Sequence, residues 1–154
     1  MKLTSYRSPL GEMTILADDQ TLYGLWFNDQ KYFGGHYDLS SIATGMTKQG
    51  ALTITWLKAY FAREKPSPKQ LNIAKPLTTF RQQVYQALMQ IPAGETVTYQ
   101  ELSTIIQNGH ANKKLARAIG NAVGHNEILL VIPCHRVIGS DGSLTGYAGG
   151  LGPS

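Results

Sequence analysis

The sequence predicts a two-part chain, an α/β unit followed by a mostly helical unit, on three observations. The N-terminal segment alternates short β-prone runs with turn residues. Arg63 to Lys75 runs through Pro66, Ser67 and Pro68 with several lysines, the composition of a linker. Beyond it lie two capping-box patterns, each followed by apolar residues at helical spacing. The boundary is expected near residue 72, giving units of 1–71 and 72–154.

In the first unit Lys2 to Arg7, Met13 to Ala17 and Leu22 to Phe27 read as antiparallel strands. They are joined by turns at Ser8-Pro9-Leu10-Gly11 and Asp18-Asp19-Gln20, which makes a β-meander. Asn28 to Gly50 has no period and reads as a long loop with little regular structure. Leu52, Trp56, Leu57, Tyr60 and Phe61 recur at helical spacing and predict an amphipathic helix lying across the sheet, with core packing as their role.

In the second unit Thr79 opens a helix, with Gln82 completing a capping box and Phe80, Val84, Leu88 and Ile91 as the buried stripe, ended by Pro92-Ala93-Gly94. Thr98-Tyr99-Gln100-Glu101 is a second capping box, starting a short helix with apolar Leu102, Ile105 and Ile106. After a turn at Asn108-Gly109, Asn112 caps a third helix from Lys113 to about Val123. Leu115, Ile119 and Val123 face inward there, while Arg117 and Asn121 share another face. Two short helices joined by a polar, glycine-containing turn form a helix-turn-helix pattern. The second helix is rich in small residues, which suits close approach of a partner and close helix packing equally well.

Hydrophobic residues at 42% and charged residues at 16% of 154 describe an ordinary globular protein. Met1 is followed by neither a long apolar run nor a cleavable basic segment, so a cytoplasmic protein without a membrane partner is expected. The single cysteine excludes an internal disulfide, and His36, His110, His125 and His135 lack zinc-site spacing, so no metal is expected. The net charge of +4 suits a polyanionic partner only weakly; more telling, Leu102 to Asn126 contains Lys113, Lys114 and Arg117 and no acidic residue.

The chemistry concentrates in Ile132-Pro133-Cys134-His135-Arg136-Val137, fed by the apolar run Ile128 to Val131, which reads as a buried strand. A lone cysteine is more often a small core hydrophobe than a catalyst. Here the basic neighbours shift the balance, because cations lower a thiol's pKa and the thiolate is the reactive form. Gly139-Ser140-Asp141-Gly142-Ser143 marks a turn, and Gly146-Tyr147-Ala148-Gly149-Gly150 a flexible loop bearing an aromatic ring. A thiol beside imidazole and guanidinium, a basic helix-turn-helix and glycine-rich loops together suggest a thiolate acting on nucleic acid.

These residues resemble the O6-alkylguanine-DNA alkyltransferases, the methylated-DNA:protein-cysteine methyltransferases. The motifs carrying the resemblance are Ser8 to Gly11, Ile91 to Tyr99, Ala116 to Gly120, Ile132 to Val137 and Gly142 to Gly150, in that order over nearly the whole chain. The resemblance implies an N-terminal ribonuclease H-like α/β domain without nuclease chemistry and a C-terminal helical domain with the active cysteine. It also implies a monomer on double-stranded DNA containing O6-alkylguanine, a single irreversible alkyl transfer to the protein, and no cofactor.

Residue by residue, the resemblance makes Cys134 the nucleophile and alkyl acceptor, and His135 the base that draws off its proton through a water. Asn126 organises the turn before the active strand. Tyr99 donates a hydrogen bond to the guanine as negative charge develops on it. Arg117 fills the space of the flipped base. The helix Lys113 to Val123 enters the minor groove, with Ala116 and Gly120 small enough to fit and Lys113 and Lys114 toward the backbone. Tyr147, Ala148, Gly149 and Val137 line the base pocket. Without the resemblance, Asn126 is an ordinary turn residue, Tyr99 a helix-start aromatic and Arg117 a phosphate-binding or solvated cation.

In the family the glycine pair is followed by a closing helix whose glutamate holds the histidine. This chain ends at Leu151-Gly152-Pro153-Ser154 with no acidic residue after Asp141, so the reading expects that helix to be absent and transfer to be slow. Three alternatives stand beside transfer. A lesion-binding alkyltransferase-like protein fits the chain end but not the cysteine. A Cys-His hydrolase lacks an oxyanion site and a distant histidine partner. A transcription regulator lacks a dimerisation segment.

Overall fold

The computed structural model describes residues 1–76, 78–91, 95–106, 113–132 and 137–138, with 113–116 and 137–138 described by backbone alone. The chain divides into two compact units: Met1–Ala74 together with Glu127–Leu129, and Lys75–Asn126 together with Leu130–Ser154.

The first unit is built on an antiparallel meander of β1 (Lys2–Ser8), β2 (Gly11–Ala17) and β3 (Leu22–Phe27), with β2 central. The β1–β2 register runs from Lys2 opposite Ala17 to Ser8 opposite Gly11. The hairpin closes through the Ser8 hydroxyl, which donates to Gly11 O at 2.6 Å and accepts from Leu10 N. Gly11 holds φ +132°, a value that requires glycine. At the next turn the Asp18 carboxylate accepts from the N–H of Gln20 and Thr21 and from the Tyr23 hydroxyl. These bonds, the one from Gln20 foremost, hold Asp18 below the usual carboxylate range.

Each outer edge of the sheet is partly paired, which reduces the unpaired backbone groups that invite aggregation. Leu3 on β1 exchanges backbone bonds with Ala43 and Gly45. Leu22 on β3 bonds Asn72 and Ala74, and Leu25 bonds Glu127 and Leu129, as two short parallel bridges. The segment Asn28 to Gly50, expected to be a loop, is mostly a succession of turns with a 3-10 turn at Leu39–Ser41, but its last residues are helical.

Helix α1 (Lys48–Phe61) starts early because two side chains satisfy its first N–H groups: Thr47 accepts from Gly50 N, and Asp19 from Lys48 N at 2.9 Å. Its buried side is Gly50, Thr53, Trp56 and Leu57, against the sheet. Leu52, expected in the stripe, is 41% exposed, and Thr53 takes the inward place with its hydroxyl on Gln49 O. The core of the unit is Met13, Ile15, Leu16, Leu22, Leu25, Trp26, Phe27 and Leu57, each fully buried.

The Trp26 indole ring comes close to Gly24, where a Cβ would collide with it. Gly24→Ala is therefore expected to destabilise the protein by about 1–3 kcal/mol through overpacking, read as a fall in the urea midpoint at constant slope. An unchanged midpoint would mean that the indole has another place to go.

In the second unit α2 (Thr79–Leu88) packs on α3 (Tyr99–Ile106) and α4 (Lys113–Gly124). The cap of α2 is Thr78, which accepts from Arg81 N; Thr79, expected as the cap, is the first helical residue, and Gln82 donates to Pro76 O instead of accepting from the cap N–H. Val84, Leu88 and Ile91 are buried as expected, Phe80 only partly, and the helix stops at Leu88, so Ile91 is reached through a turn. In α3, Leu102 is fully buried but Ile105 is 50% exposed, and Ser103 is buried in its place with its hydroxyl on Gln100 O. Ile119 and Val123 of α4 are fully buried, and Arg117 and Asn121 are exposed.

The apolar run Ile128 to Ile132 is buried but is not a continuous strand. Ile128 bridges Leu25, after which Leu130 adopts φ +67° and the chain turns. That left-handed value is uncommon for a side chain of this size and is held by the contacts on either side. The strand in this region is β5 (Val137–Ile138), paired in parallel with β4 (Val97–Thr98).

Candidate functional site

In the second unit the described residues of the predicted site lie on α3, on α4 and in the turn after α4, next to the β4–β5 pair in sequence. Val97 lies opposite Val137 and Thr98 opposite Ile138. Tyr99 follows β4 immediately, at the start of the next helix.

Helix α3 is anchored at that point by a reciprocal capping box. Glu101 N donates to Thr98 Oγ1 at 3.0 Å, and Thr98 N donates to Glu101 Oε1 at 3.1 Å. This fixes Tyr99 as the first helical residue, half-buried, with its hydroxyl inside. Gly120 of α4 faces it: a Cβ on Gly120 would stand 3.9 Å from Tyr99 Cε1. Arg117 lies one turn earlier on α4 with its side chain exposed, free of the packing that holds Ile119 and Val123. Lys113, Lys114 and Ala116 belong to the same helix, whose first turn has no acidic residue.

Asn126 is 2% exposed. Its N–H donates to Val123 O, closing the end of α4, and its Nδ2 donates to Ile132 O at 2.9 Å across six residues. A buried amide bonded to a buried carbonyl holds the loop ahead of the cysteine at both ends. Cys134, His135, Tyr147, Ala148 and Gly149 lie outside the described residues, as does the side chain of Val137.

Sequence reasoning passed over Glu127, next to Asn126. In the first unit its carboxylate accepts from both the backbone N–H and Nδ1 of His36, a residue 91 positions earlier. No local signal marks such a pair. Tyr37 stands beside it, stacked at a tilt on His36 and edge-on to Trp26 and Tyr23; burial first, then the charge of Glu127, pushes its hydroxyl pKa up.

Comparison with known proteins decides the family. Residues 1–74 match the ribonuclease-like domain, and residues 79–153 the DNA binding domain, of 6-O-methylguanine DNA methyltransferase. The chain belongs to the 6-O-methylguanine DNA methyltransferase family. A methylated-DNA–protein-cysteine methyltransferase of Haemophilus influenzae is 34% identical over 148 residues, 96% of this chain and 79% of that protein. One of Mycolicibacterium paratuberculosis is 40% identical over 149 residues, 94% and 82%. The crystal structure of Mycobacterium tuberculosis OGT in complex with DNA aligns with a TM-score of 0.79 at 34% identity, covering 97% of this chain and 85% of that one.

Membership in the 6-O-methylguanine DNA methyltransferase family bears out the expected fold class, a ribonuclease-like sheet unit followed by a helical one. Among the described residues, no helix is long and apolar enough to cross a membrane.

Proposed function

We propose that this protein repairs DNA by taking the alkyl group of O6-alkylguanine onto Cys134, once per molecule. The observation that supports the assignment of roles is the start of α3, where the Thr98–Glu101 capping box holds Tyr99 half-buried with Gly120 against its ring. The transfer itself is what the relatives from Haemophilus influenzae and Mycolicibacterium paratuberculosis are named for.

The step is a displacement at carbon. The Cys134 thiolate forms an S–C bond, the C–O6 bond breaks, and the electron pair stays on the guanine. The proton leaves sulfur through a water to His135, and its equivalent neutralises the purine anion, so charge balances. Tyr99 donates a hydrogen bond to the base as that charge develops, from a buried position where such a bond is strong. A thioether is no leaving group under these conditions, which makes the transfer terminal.

The O6 substituent sits inside the duplex, so the base must leave the stack. Arg117 suits the vacated space because its exposed guanidinium is planar and charged. Helix α4 opens on Lys113 and Lys114 with no acidic residue in its first turn, which favours phosphates at that end. Its small residues Ala116 and Gly120 suit approach to a minor groove, so binding should be salt-dependent and nearly indifferent to sequence. The protein acts as a monomer, with Val137, Tyr147, Ala148 and Gly149 lining the base pocket.

The test is mass spectrometry after incubation with a duplex containing O6-methylguanine. One methyl increment on the Cys134 peptide is expected; an unmodified peptide at long times removes the proposal. Arg117→Ala should slow transfer from duplex DNA by about tenfold or more while changing transfer from free O6-benzylguanine little, since only the duplex demands flipping. Equal slowing on both substrates would assign Arg117 another role.

A further inference from the structure

We propose that Glu101 is a positioning residue for the transfer: through Thr98 it holds Tyr99 at the place from which the tyrosine hydroxyl donates to the leaving base. The inference rests on the reading of Tyr99 as that donor and adds the capping box of α3 to the reacting apparatus. Thr98, Tyr99, Glu101 and Gly120 all belong to one compact unit.

Tyr99 is the first residue of α3, a helix of eight residues. So short a helix has little stability of its own, and the order of its first turn depends on what satisfies the leading N–H groups. Two side-chain bonds act there: Thr98 Oγ1 accepts from Glu101 N at 3.0 Å, and Glu101 Oε1 accepts from Thr98 N at 3.1 Å. Together they enclose Tyr99 and Gln100 in a closed ring. The Gln100 carbonyl is held as well, by the hydroxyls of Ser103 at 2.7 Å and Thr104 at 3.1 Å. On the other side of the cap, Val97 and Thr98 pair with Val137 and Ile138. Tyr99 is therefore fixed between a strand pair and a capped turn.

The tyrosine is the member of this turn whose placement bears on chemistry. Its ring is half-buried with the hydroxyl inside, and Gly120 of α4 stands against it, where a Cβ would lie 3.9 Å from Cε1. A helical side chain leans back toward the N-terminus, so the Tyr99 ring projects over the cap. The direction of the hydroxyl follows from the backbone angles of Tyr99, and those angles are what the box fixes. Glu101 itself is exposed, so its carboxylate can be removed without opening the core. Release of the box frays the first turn. An error of about an ångström at the hydroxyl then weakens a hydrogen bond that reaches full strength only in the transition state.

The experiment is single-turnover methyl transfer from an O6-methylguanine duplex by the full chain, with the rate constant at saturating DNA and the lesion-duplex Kd measured separately. Glu101→Ala should lower that rate constant about fivefold and weaken binding by no more than about twofold. Glu101→Gln removes the charge but keeps the acceptor for Thr98 N, and should recover most of the rate. In a Tyr99→Phe background, Glu101→Ala should cost less than about twofold, because the hydroxyl it positions is gone. A Glu101→Ala rate within about twofold of wild type, a loss confined to Kd, a Gln variant no better than Ala, or equal losses in both tyrosine backgrounds would each overturn the proposal.

Should Glu101→Ala fail to fold, Thr98→Ala breaks the box from its other end and is expected to slow the same rate constant by a similar factor; no change there also overturns it. A nuclear Overhauser contact between the Tyr99 ring and the Gly120 α-protons separates this inference from the functional reading beneath it, since it needs no transfer. The contact should be present in wild type and Glu101→Gln and weakened in Glu101→Ala. A contact absent from wild type, or unchanged in Glu101→Ala, refutes the positioning. A Tyr99→Phe variant as fast as wild type, or a wild type that never gains a methyl group, removes the functional reading instead.

Discussion

Cys134→Ser is expected to abolish methyl uptake, a loss of more than about a thousandfold, while lesion-duplex affinity stays within about threefold of wild type. A hydroxyl has no accessible anion at neutral pH, whereas a thiol beside His135 and Arg136 has one, and its sulfur is the better nucleophile toward carbon. The DNA contacts proposed for α4 come from a different part of the unit and do not depend on sulfur. Intact-mass measurement and fluorescence anisotropy on the same preparation read both quantities. Methyl appearing on another residue of the variant would move the acceptor. Wild type that binds the lesion but never gains mass would favour the lesion-binding alternative.

Asn126→Ala carries the second large effect. Its amide is 2% exposed and donates to Ile132 O at 2.9 Å, so truncation leaves a buried carbonyl without this donor. About 1–3 kcal/mol of stability should be lost, seen in the urea midpoint. Transfer at saturating DNA should fall by tenfold or more, because the bond spans the loop that delivers the cysteine. Asn126→Asp preserves shape but not the donor, and places a charge against the carbonyl; it should be at least as damaging. A variant of wild-type rate and stability would leave Asn126 as an ordinary turn residue.

Local chemistry suffices for some elements and not for others. β1 to β3 were legible because short β-prone runs and turn residues are local properties, and the two accounts differ by no more than two residues at each end. The Thr98–Glu101 capping box was legible for the same reason: donor and acceptor are three residues apart. At Thr78 the same logic slipped by one position, since adjacent threonines offer equal hydroxyls and only the exit of the preceding chain selects between them.

Helix rotation was not legible. Leu52 and Ile105 are more apolar than Thr53 and Ser103, yet the hydroxyl residues are the buried ones, each satisfied by a carbonyl within its own helix. Periodicity gives a stripe to within one residue, and the neighbouring surface sets the final angle. The run Ile128 to Ile132 likewise has the composition of a strand, but Leu130 turns it, because the preceding residues are taken up by Leu25.

The amino-acid sequence by itself determined the order of the elements, the family and the one thiol proposed to react, because each resides in residues close together along the chain. Only the tertiary structure decided that Glu127 belongs to the sheet unit and meets His36, and that β4 and β5 lie side by side. Those partners are separated by 91 residues in one case and by helices α3 and α4 in the other. A hydrogen bond at such separation leaves no period, spacing or cap in the sequence; it exists only once the intervening chain has packed.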